Sequence, residues 1–117
     1  MEFFIKQNSD LPILKMDVVK DGRTDSAKDF YSMLDNANIR FSMKSENDGI
    51  QKIFMKPAYL TEKQRTHSDS PREYYIYYKW TAKDTNKKGR YIGEFLIELG
   101  NGELITPIRE NLYINII

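Results

Sequence analysis

Carboxylates, lysines and tyrosines are the side chains here with chemistry to act on, or hold, another molecule. Glu94 and Glu98 are the carboxylate pair whose spacing invites general acid and base roles. They recur on the polar side of an alternating segment, with no pocket implied around them, and read as a wet strand face. His67 is the single histidine, so a histidine metal site or a serine-type triad would need partners the chain does not supply, and an exposed loop histidine is the plainer reading. There is no cysteine, which excludes thiolate metal sites and disulfides. Asp21, Asp25 and Asp48 stand near turns without the spacing of a calcium loop and read as solvated turn carboxylates. No catalytic residue, metal ligand or cofactor site is assigned, and the chain reads as a non-enzyme.

Binding chemistry is easier to find. Lys83, Lys87, Lys88 and Arg90 form a basic cluster beside Asp84. A phosphate site is conceivable there, although a charged, well-solvated connection is the ordinary reading. The overall charge of +1, from 18 basic and 17 acidic residues, argues against nucleic acid as partner. In Tyr74 to Trp80, residues of a strand alternate between faces, so Tyr74, Ile76, Tyr78 and Trp80 share one side and Tyr75, Tyr77 and Lys79 the other. If Tyr75 and Tyr77 point outward they make an aromatic surface that stacks on sugar rings or buries in a protein interface; alternatively a neighbouring helix covers them. The closing segment, with Leu112, Ile114 and Ile116 alternating against Tyr113, Asn115 and Ile117, ends on apolar residues and invites pairing with another chain. Tyr75, Tyr77, Tyr113, Asn115 and Ile117 are the interface candidates.

The elements that position these groups are mostly strands. At 117 residues and 13.8 kDa the chain is expected to form a single domain over residues 1–117. Eight Tyr, six Phe and one Trp favour strands and interfaces. Leu14, Met16 and Val18 alternate with Lys15, Asp17 and Val19 after Pro12. Ile39, Phe41 and Met43 alternate with Arg40, Ser42 and Lys44 before the turn signal Glu46-Asn47-Asp48-Gly49. Ile50 to Lys63 is irregular, and Pro57 places part of it at a sheet edge or bulge. Tyr91, Phe95, Ile97 and Leu99 share the inward face of the next strand, with Gly93 leaving room for a bulky neighbour such as Trp80. Asn101-Gly102 is a strong hairpin signal leading into Glu103 to Ile108. Ser26 caps a predicted short helix carrying Phe30, Met33 and Leu34 on one stripe, and Gln64 to Arg72 reads as a surface loop. The sum is an all-β antiparallel β-sandwich of seven or eight strands with one short inserted helix.

No apolar run approaches the length of a membrane-spanning helix, and the first residues lack the basic start and cleavage site of a signal peptide. A soluble protein made and kept in a cytoplasm, with no membrane partner, is expected.

The run Leu34-Asp35-Asn36-Ala37-Asn38-Ile39-Arg40-Phe41-Ser42-Met43 is followed by Trp80-Thr81, Asp84-Thr85, Gly89-Arg90-Tyr91, Glu94-Phe95, Gly102, Pro107 and Tyr113-Ile114-Asn115-Ile116. Over Ile13 to Ile117 this order resembles the immunoglobulin-like N-terminal domain of phage baseplate upper proteins. The resemblance implies an immunoglobulin-like sandwich acting as a structural component of a bacteriophage virion, assembled in the host cytoplasm. Its partners would be other virion proteins or further copies of itself, in a baseplate, a tail adaptor, a capsid decoration or a head fibre. Two departures stand out: the Ser26 to Leu34 insertion with the long Thr61 to Glu73 loop, and a sequence that stops where the family continues. A carbohydrate-binding module using the same tyrosines, with a glycan as partner, is the alternative.

Overall fold

The computed structural model describes residues 1–17, 37–62, 74–100, 102–107 and 110–117. Among them 64% are in strands and none is helical, so the all-β class is borne out. The helix expected over Ser26 to Leu34 lies outside the described residues, as do most of the Thr61 to Glu73 loop, His67, Asp21, Asp25 and Asn101.

Eight strands occur in these segments: β1 (Glu2–Ile5), β2 (Leu14–Asp17), β3 (Asn38–Ser45), β4 (Gln51–Glu62), β5 (Tyr74–Tyr78), β6 (Gly89–Leu99), β7 (Gly102–Thr106) and β8 (Leu112–Ile116). They form one sheet in the order β1-β8-β6-β3-β4-β5-β2, with β7 on β6. All pairs are antiparallel except β1 with β8. The sheet curls into a shape close to a barrel. At its seam Met1 shares a cleft with Lys15, Met16, Asp17 and Tyr75, bringing the start of β1 near β2. This strand path does not by itself make an immunoglobulin-like sandwich.

The curl turns on β4. Its first part pairs with β3 and its last residues, Tyr59 to Glu62, pair with β5. Between the two, the register slips: Phe41 faces Lys56 while Met43 faces Ile53, so Ser42 alone stands against Phe54 and Met55. Met55 takes a positive φ of 54°, a left-handed conformation that costs a non-glycine residue about 1–2 kcal/mol. The buried Ser42 hydroxyl accepts the Met55 N–H at 2.9 Å, which secures a donor that the bulge would otherwise strand. Ile53 faces the core as expected, and Pro57 sits exposed opposite Arg40, where its missing N–H is tolerated. The turn after β3 follows its sequence signal: Gly49, at φ 73°, donates to the Ser45 carbonyl at 2.9 Å.

The core is largely aliphatic and holds an aromatic cluster centred on Phe41, whose ring lies 4.7 Å from Tyr78, 4.9 Å from Phe95 and 5.7 Å from Trp80. Inward alternation is obeyed by Leu14 and Met16, by Ile39, Phe41 and Met43, by Tyr74, Ile76 and Tyr78, and by Leu112, Ile114 and Ile116. Gly93 does make room for a bulky ring, but the ring is Phe41: a Cβ at Gly93 would lie 3.0 Å from it.

Candidate functional site

The outer face of the β2–β5–β4 layer carries the first candidate. Register places Lys15, Tyr77 and Tyr59 side by side across the three strands, with Asp17, Tyr75 and Thr61 in the next outward row. The rings form a ladder. Tyr59 and Tyr77 lie 5.5 Å apart, Tyr77 and Tyr75 6.3 Å apart. Lysines stand at both ends, with the Lys15 ammonium 5.2 Å over the Tyr75 ring and Lys79 at 6.0 Å over Tyr59. Tyr75 and Tyr77 are half-buried and Tyr59 is exposed, so the face expected for Tyr75 and Tyr77 is accessible to a partner.

Tyr59 was missed by the sequence reading because the Met55 bulge and Pro57 break the alternation that would have pointed to it. Restarting the count at Ala58, which is buried, puts Tyr59 outward. The rings are inclined by 32° and 54° to one another, so they present notches between edges and not one flat ledge.

The other three interface candidates lie elsewhere. Tyr113 and Asn115 belong to β8, which is not a sheet edge: β1 flanks it on one side and β6 on the other. The open edge that the closing segment was expected to offer is thus filled from within the chain. Asn115 donates to Glu2 Oε2 at 3.1 Å and to the Phe3 carbonyl at 3.2 Å, holding β1 in place. The Arg90 guanidinium stacks 3.8 Å over the Tyr113 ring and reaches Glu2 at 2.5 Å. Ile117 has an exposed side chain, but its backbone N–H donates to Ile5 at 2.9 Å and its carbonyl accepts from Gln7 at 2.8 Å. The five candidates therefore do not converge on one surface.

Asp84 is the buried charge among the described residues, 2% exposed. Its Oδ1 accepts from Lys56 Nζ at 2.9 Å, and its Oδ2 accepts from the Tyr78 hydroxyl at 2.8 Å and the Thr81 N–H at 2.9 Å. Burial pushes the carboxyl up, but the bonds from Lys56, Thr81 and Tyr78 and the Lys56 charge outweigh it and hold Asp84 below the usual carboxylate value. Tyr78 moves the other way: burial, then the bond and charge of Asp84, raise its phenol well above the ordinary value. Next to it, buried Thr85 donates to the Ser9 carbonyl at 2.7 Å. These bonds pin the β5–β6 connection onto the sheet.

Glu94 and Glu98 do share the outer face of β6, where Glu98 lies 3.7 Å from Arg40. The lysine cluster divides. Lys87, Lys88 and Arg90 line a cleft of about 610 Å³ beside the β3–β4 turn, which Lys83 does not line and to which β4 contributes Lys52.

Comparison of the chain with protein-family models, with curated proteins and with solved structures gives no match.

Proposed function

We propose that this protein is a non-enzymatic assembly module that joins other protein subunits through the tyrosine ladder of the β2–β5–β4 layer. The observation that carries the reading is the accessible row of Tyr59, Tyr77 and Tyr75. Tyrosine supplies large contact area at low entropic cost and is enriched where interfaces concentrate their energy. With Tyr59 about half exposed and Tyr75 and Tyr77 largely covered, the three rings have on the order of 200 Å² left to bury, against roughly 800 Å² per partner in a stable interface, so the ladder is the centre of a contact and neighbouring residues complete it.

The resemblance to baseplate upper domains gives this reading its biological setting: a structural component of a phage virion, in a baseplate, tail adaptor, decoration or head fibre, with copies of itself or other virion proteins as partners. On that reading the curled sheet is a variant of the immunoglobulin-like sandwich in which β4 is shared between the two layers.

The glycan-binding alternative uses the same side chains. Its most direct form asks for rings that share a plane, since consecutive sugars stack on flat faces; inclinations of 32° and 54° favour a protein surface whose side chains enter the notches.

Light scattering over a concentration series, alone and with candidate partner subunits, tests the proposal. A defined oligomer or complex that Tyr59→Ser with Tyr77→Ser dissolves, while the variant stays folded, supports it. Assembly indifferent to those changes sinks the assigned face, and saturable binding to a glycan with no assembly at any concentration favours the alternative.

A further inference from the structure

The cleft between the β3–β4 turn and the end of the β5–β6 connection concentrates charge that the rest of the chain does not. Lys52, Lys87, Lys88 and Arg90 line it together with the carboxylates Glu46 and Asp48, so four cations face two anions and the cleft carries +2 in a chain whose total is +1. The pairing is uneven. Arg90 is spent internally, on Glu2 at 2.5 Å, on Glu46 at 3.6 Å and on the Tyr113 ring. Asp48 caps its own turn, accepting the Ile50 N–H at 3.0 Å; that bond, then one from the Ser45 hydroxyl and then the Lys87 charge hold its carboxyl below the usual value.

Three ammonium groups remain. Lys52 reaches across the cleft to the neutral Asn86 side-chain oxygen at 2.5 Å, which orients it without cancelling its charge. Among the described residues Lys87 and Lys88 form no ion pair. Beside them the Ile50 side chain stands 67% exposed on the same wall. Like charges gathered from β4 and from the β5–β6 connection repel, and a compact anion between them relieves that repulsion. Lysine heads act as hydrated point charges that suit a tetrahedral oxyanion, and the volume of about 610 Å³ is that of a small-ligand site.

We propose that this cleft binds a phosphate or sulfate ester, its oxyanion held by Lys52, Lys87 and Lys88 and its organic part resting against Ile50. The site is separate from the tyrosine ladder, and its test does not depend on assembly.

Phenyl phosphate, phenyl sulfate and a penta-glutamate peptide are titrated separately into the isotopically labelled protein, with backbone amide shifts as readout. Saturable shifts confined to residues 45–52 and 86–91 with either ester are expected, and the tighter ester names the source of the oxyanion. Lys87→Ser with Lys88→Ser weakens that binding by about tenfold or more, whereas Lys83→Ser, outside the cleft, leaves it unchanged. Shifts scattered over surface lysines, binding insensitive to the double substitution, or saturation by penta-glutamate alone overturns the proposal. The amide spectrum of each variant reports that it is folded.

Discussion

The Tyr78 hydroxyl donates to Asp84 Oδ2 at 2.8 Å across a six-residue span, and this one bond ties the last residue of β5 to the connection that leads into β6. Tyr78 also packs its ring on Phe41, so the aromatic core and the buried carboxylate share a side chain.

Tyr78→Phe keeps the ring and removes the donor, and is expected to cost about 1–2 kcal/mol. Asp84→Ala strands the Tyr78 hydroxyl and the Thr81 N–H together and costs about 3 kcal/mol. Because half-exposed Lys56 regains water, its share is small. In urea unfolding the double variant should be less destabilised than the sum of the two; strict additivity would mean the bond contributes nothing.

Asp84 also sets an acid limit. Its folded pKa lies below the unfolded value of about 3.9, so the stabilisation it provides is fully present above that value and is lost as pH falls through the folded pKa. The thermal midpoint should fall below about pH 4, and this part of the fall should be absent in Asp84→Asn. An identical acid profile in the variant would remove Asp84 as its cause.

Gly93→Ala places a methyl group 3.0 Å from the Phe41 ring in the centre of the core. A loss of about 1–3 kcal/mol is expected from the strain of moving that ring. Phe41→Leu should be less damaging in the Gly93→Ala background than in the wild type. Equal cost in both would show that the two positions are not coupled.

Ser42→Ala removes the acceptor of the Met55 N–H at the β4 bulge and is expected to cost about 1–3 kcal/mol. Tyr59→Ser with Tyr77→Ser, on the outward face of β4 and β5, should cost about 1–2 kcal/mol in total, since the Tyr59–Tyr77 and Tyr77–Tyr75 ring contacts and the Lys79 contact on Tyr59 are lost. Chemical denaturation of the two variants side by side checks both, and a loss beyond that range from the tyrosine pair would place those rings in the core and not on the surface.

Strand faces were legible wherever polar and apolar residues alternated without interruption, as in Ile39 to Lys44, Tyr74 to Tyr78 and Leu112 to Ile116. Sequence reading stopped at Met55, because a bulge spends residues without advancing the ladder and so shifts every face beyond it; Tyr59 was lost for that reason. The position of β1 was not legible either. Glu2–Ile5 pairs in parallel with Tyr113–Ile116, a partnership set by the curl of the whole sheet and by Asn115, not by any local pattern. Lys52 escaped the basic cluster for a similar reason, since only the folded sheet brings β4 beside the β5–β6 connection that carries Lys87 and Lys88.

The parallel pairing of β1 with β8 has a consequence for the order of events in synthesis. Glu2 and Tyr113 are register partners, so β1 has no neighbour in its sheet until β8 has been made. Joining segments so far apart carries a loop-closure penalty that grows slowly with length and slows folding more than it weakens the product. The central strands β3 to β6 can pair with one another earlier. Phe3 and Ile5, which pack on the core in the finished fold, therefore stay uncovered until β8 is available, and β1 docks late.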